Sequence, residues 1–106
     1  MTSPVLIAAD IDTARLERLL ARLPQGAPTV VRTQRVTAEL REIQRRRGLV
    51  LVVGDEHDPR VKEQVSASGL ARLLPDIGER EVRLAGPRPF RKYVRGALKR
   101  IRARSA

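Results

Sequence analysis

The sequence contains no cysteine and no tryptophan, and its only aromatic residues are Phe90 and Tyr93. Without cysteine there can be no disulfide, no thiolate metal site and no cysteine nucleophile, which accords with a reducing, cytoplasmic location. With so few rings, the core must be built from Leu, Val, Ile and Ala. His57 is the only histidine, so a paired-histidine metal site is excluded and any catalytic triad would have to run through this one residue. Neither a Gly-x-Ser-x-Gly elbow nor a phosphate-binding Gly-Lys-Ser/Thr loop is present. The longest apolar runs, Val5–Ala9 and Leu49–Val53, are far too short to span a membrane. Met1–Asp10 lacks the basic stretch and long apolar run of a secretion signal. No internal repeat or low-complexity tract interrupts the chain.

What is abundant is positive charge. The formal net charge is +10 over 106 residues, the length of a single domain with a genuine core. The charge is unevenly placed. Residues 1–84 carry 14 Lys or Arg and all 12 acidic residues, whereas residues 85–106 carry eight basic residues and no acidic one. Such asymmetry marks a binding segment at one end of the chain more than a generally basic protein.

Val5–Ala9 is an unbroken apolar run of the kind buried on both faces of a parallel sheet. Asp12 or Thr13 can then cap a helix whose Leu16, Leu19, Leu20 and Leu23 share one face. Thr29-Val30-Val31 reads as a second strand. Val36, Leu40 and Ile43 carry helical spacing up to Gly48, a C-terminal stop. Leu49–Val53 reads as the strongest strand. Asp58-Pro59 opens a helix with a kink or break expected near Gly69, and Glu81–Leu84 alternates as an edge strand does. A final amphipathic helix runs from about Pro89 to Arg104. Its apolar stripe comprises Phe90, Tyr93, Val94, Ala97, Leu98 and Ile101. The expected architecture is therefore a single α/β domain over residues 1–106. It has a small doubly wound parallel sheet of four to five strands in the order 2-1-3-4, helices on both faces, and the basic helix 88–104 packed on it.

Two constellations could carry function. In a doubly wound sheet ligands bind beyond the carboxyl ends of the strands. Order 2-1-3-4 would bring Asp10 and Asp12 beside Asp55, with Glu56 and Asp58 close by. Carboxylates gathered in this way could hold Mg²⁺. The alternative is that Asp12 and Asp58 are helix caps and the others solvated loop residues. The second constellation is the polar face of the last helix, Arg91, Lys92, Arg95, Lys99, Arg100, Arg102 and Arg104. It suits an acidic protein surface, nucleic-acid phosphates or anionic lipid, or simply faces water. Because both aromatic residues lie on the apolar stripe, they are expected in the core and not as base-stacking platforms.

The order of elements resembles the response-regulator receiver domain of bacterial two-component signalling, a flavodoxin-like phosphoacceptor module. Val5–Asp10 with Thr13–Leu23 is similar to its first strand, acidic end and first helix, and Leu49–Val53 with Asp55 to its third strand and phosphoacceptor loop. Gly86–Phe90 is similar to its Lys-Pro-Phe/Tyr segment before the final helix. Ala9-Asp10 stands where the family has an acidic pair, Arg88 where it has lysine, and Asp55 lies past the strand end. The resemblance thus implies a degenerate receiver, without catalysis or cofactor, that does not accept phosphate and acts by binding a protein. Leu49–Val53, Val61–Val65 and Ser68–Pro75 also resemble the STAS domain of anti-sigma-factor antagonists, although that family's Asp-Ser motif is replaced by Arg35-Val-Thr37. The expected function is a non-enzymatic signalling module binding an acidic protein partner through its last helix. A nucleic-acid-binding accessory protein or a STAS-like antagonist are the alternatives, and a homodimer remains open.

Overall fold

Four short segments form one all-parallel sheet: β1 (Val5–Ala9), β2 (Thr29–Thr33), β3 (Val50–Val53) and β4 (Val82–Ala85), in the order β3-β2-β1-β4. The computed structural model describes residues 3–105, so Met1, Thr2 and Ala106 lie outside it, including the start of the segment read for a leader. Five helices join and follow the strands: α1 (Thr13–Ala21), α2 (Ala38–Arg47), α3 (Pro59–Gln64), α4 (Ala67–Leu73) and α5 (Arg88–Ser105), with a single 3-10 turn at Ile77–Glu79.

Alternation along the strands sorts the core into two layers. Leu6, Ala8 and Val31 meet Leu16 and Leu20 of α1 and Leu40 and Ile43 of α2 on one face. Val5, Ile7, Val30 and Val52 meet Val61 of α3, Leu70 of α4 and Phe90, Val94 and Leu98 of α5 on the other. The chain winds β1-α1-β2-α2-β3 outward along the first face. It then returns across the second face through α3 and α4 to lay β4 against the free side of β1.

The α/β class, the parallel sheet and the two helical layers agree with the sequence, but the strand order does not. β2, not β3, is the second central strand, with Ile7 registered on Val30 and Val31 on Leu51. Leu49–Val53, read as the strongest strand, forms an edge with Val50 and Val53 exposed. Apolar content misleads here because Thr29–Thr33 carries an arginine, and its central position depends on partners distant in sequence. β4 is the other edge, as its alternation implies.

Local signals set the helix ends. Asp12 accepts from the Arg15 N–H (2.7 Å), Thr37 from Leu40 (3.1 Å) and Asp58 from Arg60 (2.9 Å). Gly48 closes α2 with φ 69°, its N–H donating to the Gln44 carbonyl at 2.7 Å. The break expected near Gly69 falls earlier. Val65 ends α3, and Ser66 caps α4 by accepting from the Gly69 N–H at 3.1 Å. Gly69 itself is buried, packed against the carbonyls that end α3.

Candidate functional site

Arg32 occupies the C-terminal end of β2, on the face of the sheet that α5 covers, and is 5% exposed. A guanidinium is tolerated in such a place only if its charge is matched and its donors are used. Its Nη2 donates to the Asp10 carboxylate and lies 3.8 Å from that of Glu56. The centre of the guanidinium stands 5.0 Å from the centroid of the Phe90 ring, a cation–π arrangement strengthened by burial. Nε has no hydrogen-bond partner. Asp10 reaches Arg32 because the chain turns sharply after β1. Its φ of 52° lies in the left-handed region that aspartate tolerates better than most residues, and its N–H donates to the Arg32 carbonyl at 3.2 Å.

The observed strand order does not set the ends of β1 and β3 side by side, as the order 2-1-3-4 would. With β2 between β1 and β3, a cation stands between Asp10 and the β3–α3 loop. Asp12 and Asp58 serve as helix caps, and Asp55 accepts from the His57 N–H at 2.7 Å, shaping its own turn. Among the described residues, no group of three metal-ligating side chains comes together. His57 is exposed, its Nε2 3.4 Å from Glu56. At the point where the winding reverses, between β1 and β4, backbone fills the space. A Cβ on Gly86 would lie 2.4 Å from the Ala9 carbonyl oxygen, and Arg91 Nε donates to the Gly86 carbonyl at 3.1 Å.

The second constellation survives with changes. Phe90, Val94, Ala97, Leu98 and Ile101 are buried beneath α5. Tyr93, expected in the core, is 41% exposed, and its hydroxyl donates to the Lys62 carbonyl at 3.1 Å, tying α5 to α3. Lys92, Arg95, Lys99, Arg100, Arg102 and Arg104 are exposed, as is Arg88. Arg88, Lys92, Arg95, Lys99 and Arg102 follow one another at alternating spacings of four and three and therefore line one stripe, about 20 Å long at 1.5 Å per residue. Arg91 is half-buried, and Arg102 donates to the carbonyls of Gly78 (3.4 Å) and Arg80 (3.2 Å).

Elsewhere arginines meet carboxylates in Arg45–Glu42, Arg46–Glu17, Arg72–Glu63, Arg80–Asp76 and Arg83–Glu81. Among the described residues, no cation of α5 is paired with a carboxylate. Beside this stripe, between α5 and the free edge of β4, runs a groove with Val82, Leu84 and Leu98 as its apolar floor and Arg95, Lys99 and Arg102 as its basic wall. The sequence pointed to the cations of α5 but missed Arg32 and Phe90 as a unit. The available signal was an arginine following Val30-Val31 within the short segment Thr29–Thr33.

No protein-family model, no curated protein and no solved structure matches the chain at a significant level.

Proposed function

We propose that this chain is a non-catalytic interaction module whose last helix and neighbouring sheet edge bind an acidic segment of a protein partner. The observation that carries this reading is the stripe of cations on α5 without carboxylate partners, set beside an apolar-floored groove. Five like charges at helical spacing repel one another, and a counter-charge relieves that repulsion. A segment alternating acidic and apolar side chains would satisfy wall and floor together. The signalling role, as a degenerate receiver or a STAS-like domain of bacterial regulation, rests on the segments that resemble those families. The engagement of Asp10 by Arg32 and of Asp55 by its own loop supports a reading in which the receiver's phosphate chemistry has no part.

The test is charge reversal. Lys92→Glu, Arg95→Glu and Lys99→Glu together, all on exposed positions, should leave the fold intact by circular dichroism. The same change should abolish retention on an acidic peptide that alternates Glu with Leu. Unchanged retention would remove the stripe from the binding surface. The exposed ring of Tyr93 beside Lys92 and Arg100 supports a second reading, in which bases stack there and the cations neutralise phosphates. Nucleic-acid binding would show a steep linear fall of log K with log salt, and a low-salt gel shift that shows no complex with single-stranded DNA or RNA would eliminate it.

A further inference from the structure

Beyond the end of β2, between α3 and α5, lies a cavity of about 170 Å³ that Arg32 lines together with Lys62, Tyr93 and Phe90. It is distinct from the stripe and groove of α5, and it sits on the side of the sheet where strand ends present backbone and side chains to ligands. Its lower wall is apolar, from Val61 and Val65. The cation on that wall is unusual. Arg32 has a side chain 6% exposed, directs one nitrogen, Nη2, at both of its carboxylate partners, and leaves Nε buried with no acceptor. Buried donors in folded proteins nearly always have a partner, and this cavity-lining guanidinium keeps hydrogen-bonding capacity that the chain's own acceptors do not use. Lys62 adds a second positive charge, while Glu56 and His57 stand on the rim as the other titratable groups.

We propose that this cavity binds a small organic acid, a single carboxylate on a compact apolar body, with Arg32 and Lys62 meeting the carboxylate and Val61, Val65 and the Phe90 ring meeting the body. The size sets the class, since a dry cavity of about 150 Å³ accommodates benzene. The planar donor fork of a guanidinium matches the geometry of a carboxylate, and the apolar part of the lining favours an acid that carries a hydrocarbon body. Glu56 competes for the same guanidinium. It is half-exposed and 3.8 Å from Nη2, so it can turn outward into water when an acid enters.

Tyr93, the only tyrosine in a chain without tryptophan, reports directly from the cavity wall. Its fluorescence should change saturably on titration with cyclohexanecarboxylate. Cyclohexanecarboxamide, without the charge, and acetate, without the body, should each bind about tenfold more weakly or worse. Glu56→Gln should tighten cyclohexanecarboxylate binding severalfold by removing the competitor, and Arg32→Lys should abolish it. Should Arg32→Lys fail to fold, Glu56→Gln decides, since its rim position spares the core. An absent response, an equal response to the carboxamide, or unaltered or weaker binding by Glu56→Gln would overturn the proposal. The Lys92, Arg95 and Lys99 reversals should leave the saturable response to cyclohexanecarboxylate in place while abolishing retention on the acidic peptide, which separates this cavity from the binding surface of α5.

Discussion

Two glycines lie within helices, and replacing each by alanine should move stability in opposite directions. In a helix interior alanine is favoured over glycine by about 0.5–1 kcal/mol because it restricts the unfolded chain. At Gly96 of α5, a Cβ would meet nothing within 4 Å, so Gly96→Ala should return that gain in full. At Gly69 of α4, the Cβ would lie 2.2 Å from the Glu63 carbonyl oxygen and 2.5 Å from that of Gln64. Ordinary carbon–oxygen contact is about 3.3 Å, so roughly 1 Å must be recovered by moving α4 away from the end of α3. Backbone cannot yield as a flexible side chain can, and the neighbouring Leu70, 1% exposed, would be drawn out of the core. Overpacking of this kind costs about 1–3 kcal/mol, which outweighs the helical gain. With a urea m-value of about 1–3 kcal/mol/M, Gly69→Ala should lower the unfolding midpoint by roughly 1 M and Gly96→Ala should raise it by a few tenths. A Gly69→Ala midpoint at or above that of the parent would refute the close packing of α3 on α4.

Removal of residues 88–106 should destabilise the whole protein, since burial of Phe90, Val94 and Leu98 contributes about 1.5–3 kcal/mol each against a total of roughly 5–15 kcal/mol. A truncated chain that melts like the full-length one would make α5 an independent arm. Asp12→Ala, which deletes the acceptor for the Arg15 N–H, should cost about 1 kcal/mol in a denaturant titration, and a negligible loss would show that α1 does not depend on its cap. Incubation with a small phosphodonor and Mg²⁺ should leave the intact mass unchanged. A stoichiometric adduct would show that the Arg32 pairing, at Asp10, or the loop hydrogen bond, at Asp55, does not block that chemistry.

Features decided by neighbours in sequence were legible in it. Asp12, Asp58 and Gly48 act within one helical turn, and the stripe of α5 follows from periodicity alone. Features decided by neighbours in space were not. Whether β2 is an edge strand, as in the order 2-1-3-4, or a central one depends on which strand finds partners on both sides, and those partners are distant in sequence. The suitability of Arg32 for the interior comes from Asp10 and Phe90, which only the finished fold brings to it. Tyr93 was misread for a related reason. Its position on the helix is apolar by spacing, yet α3 presents a carbonyl there instead of a core wall. Gly69 looked like a breaker because glycine weakens helices, but in the structure it is the residue small enough for two helices to touch.

The order β3-β2-β1-β4 also has a consequence in time. β1 precedes every other element, yet its second edge is closed only by β4, and the cover of its second face, begun by α3 and α4, is completed only by α5. Contacts between segments so distant along the chain form slowly, because the intervening loop must be closed before any of them is gained. A chain emerging from the ribosome can assemble β1 through β3 with α1 and α2 and still hold Ile7, Val30 and Val52 uncovered. The cationic face of α5 thus arrives on the same helix that seals the interior, so any encounter through it before completion involves a domain with an open core.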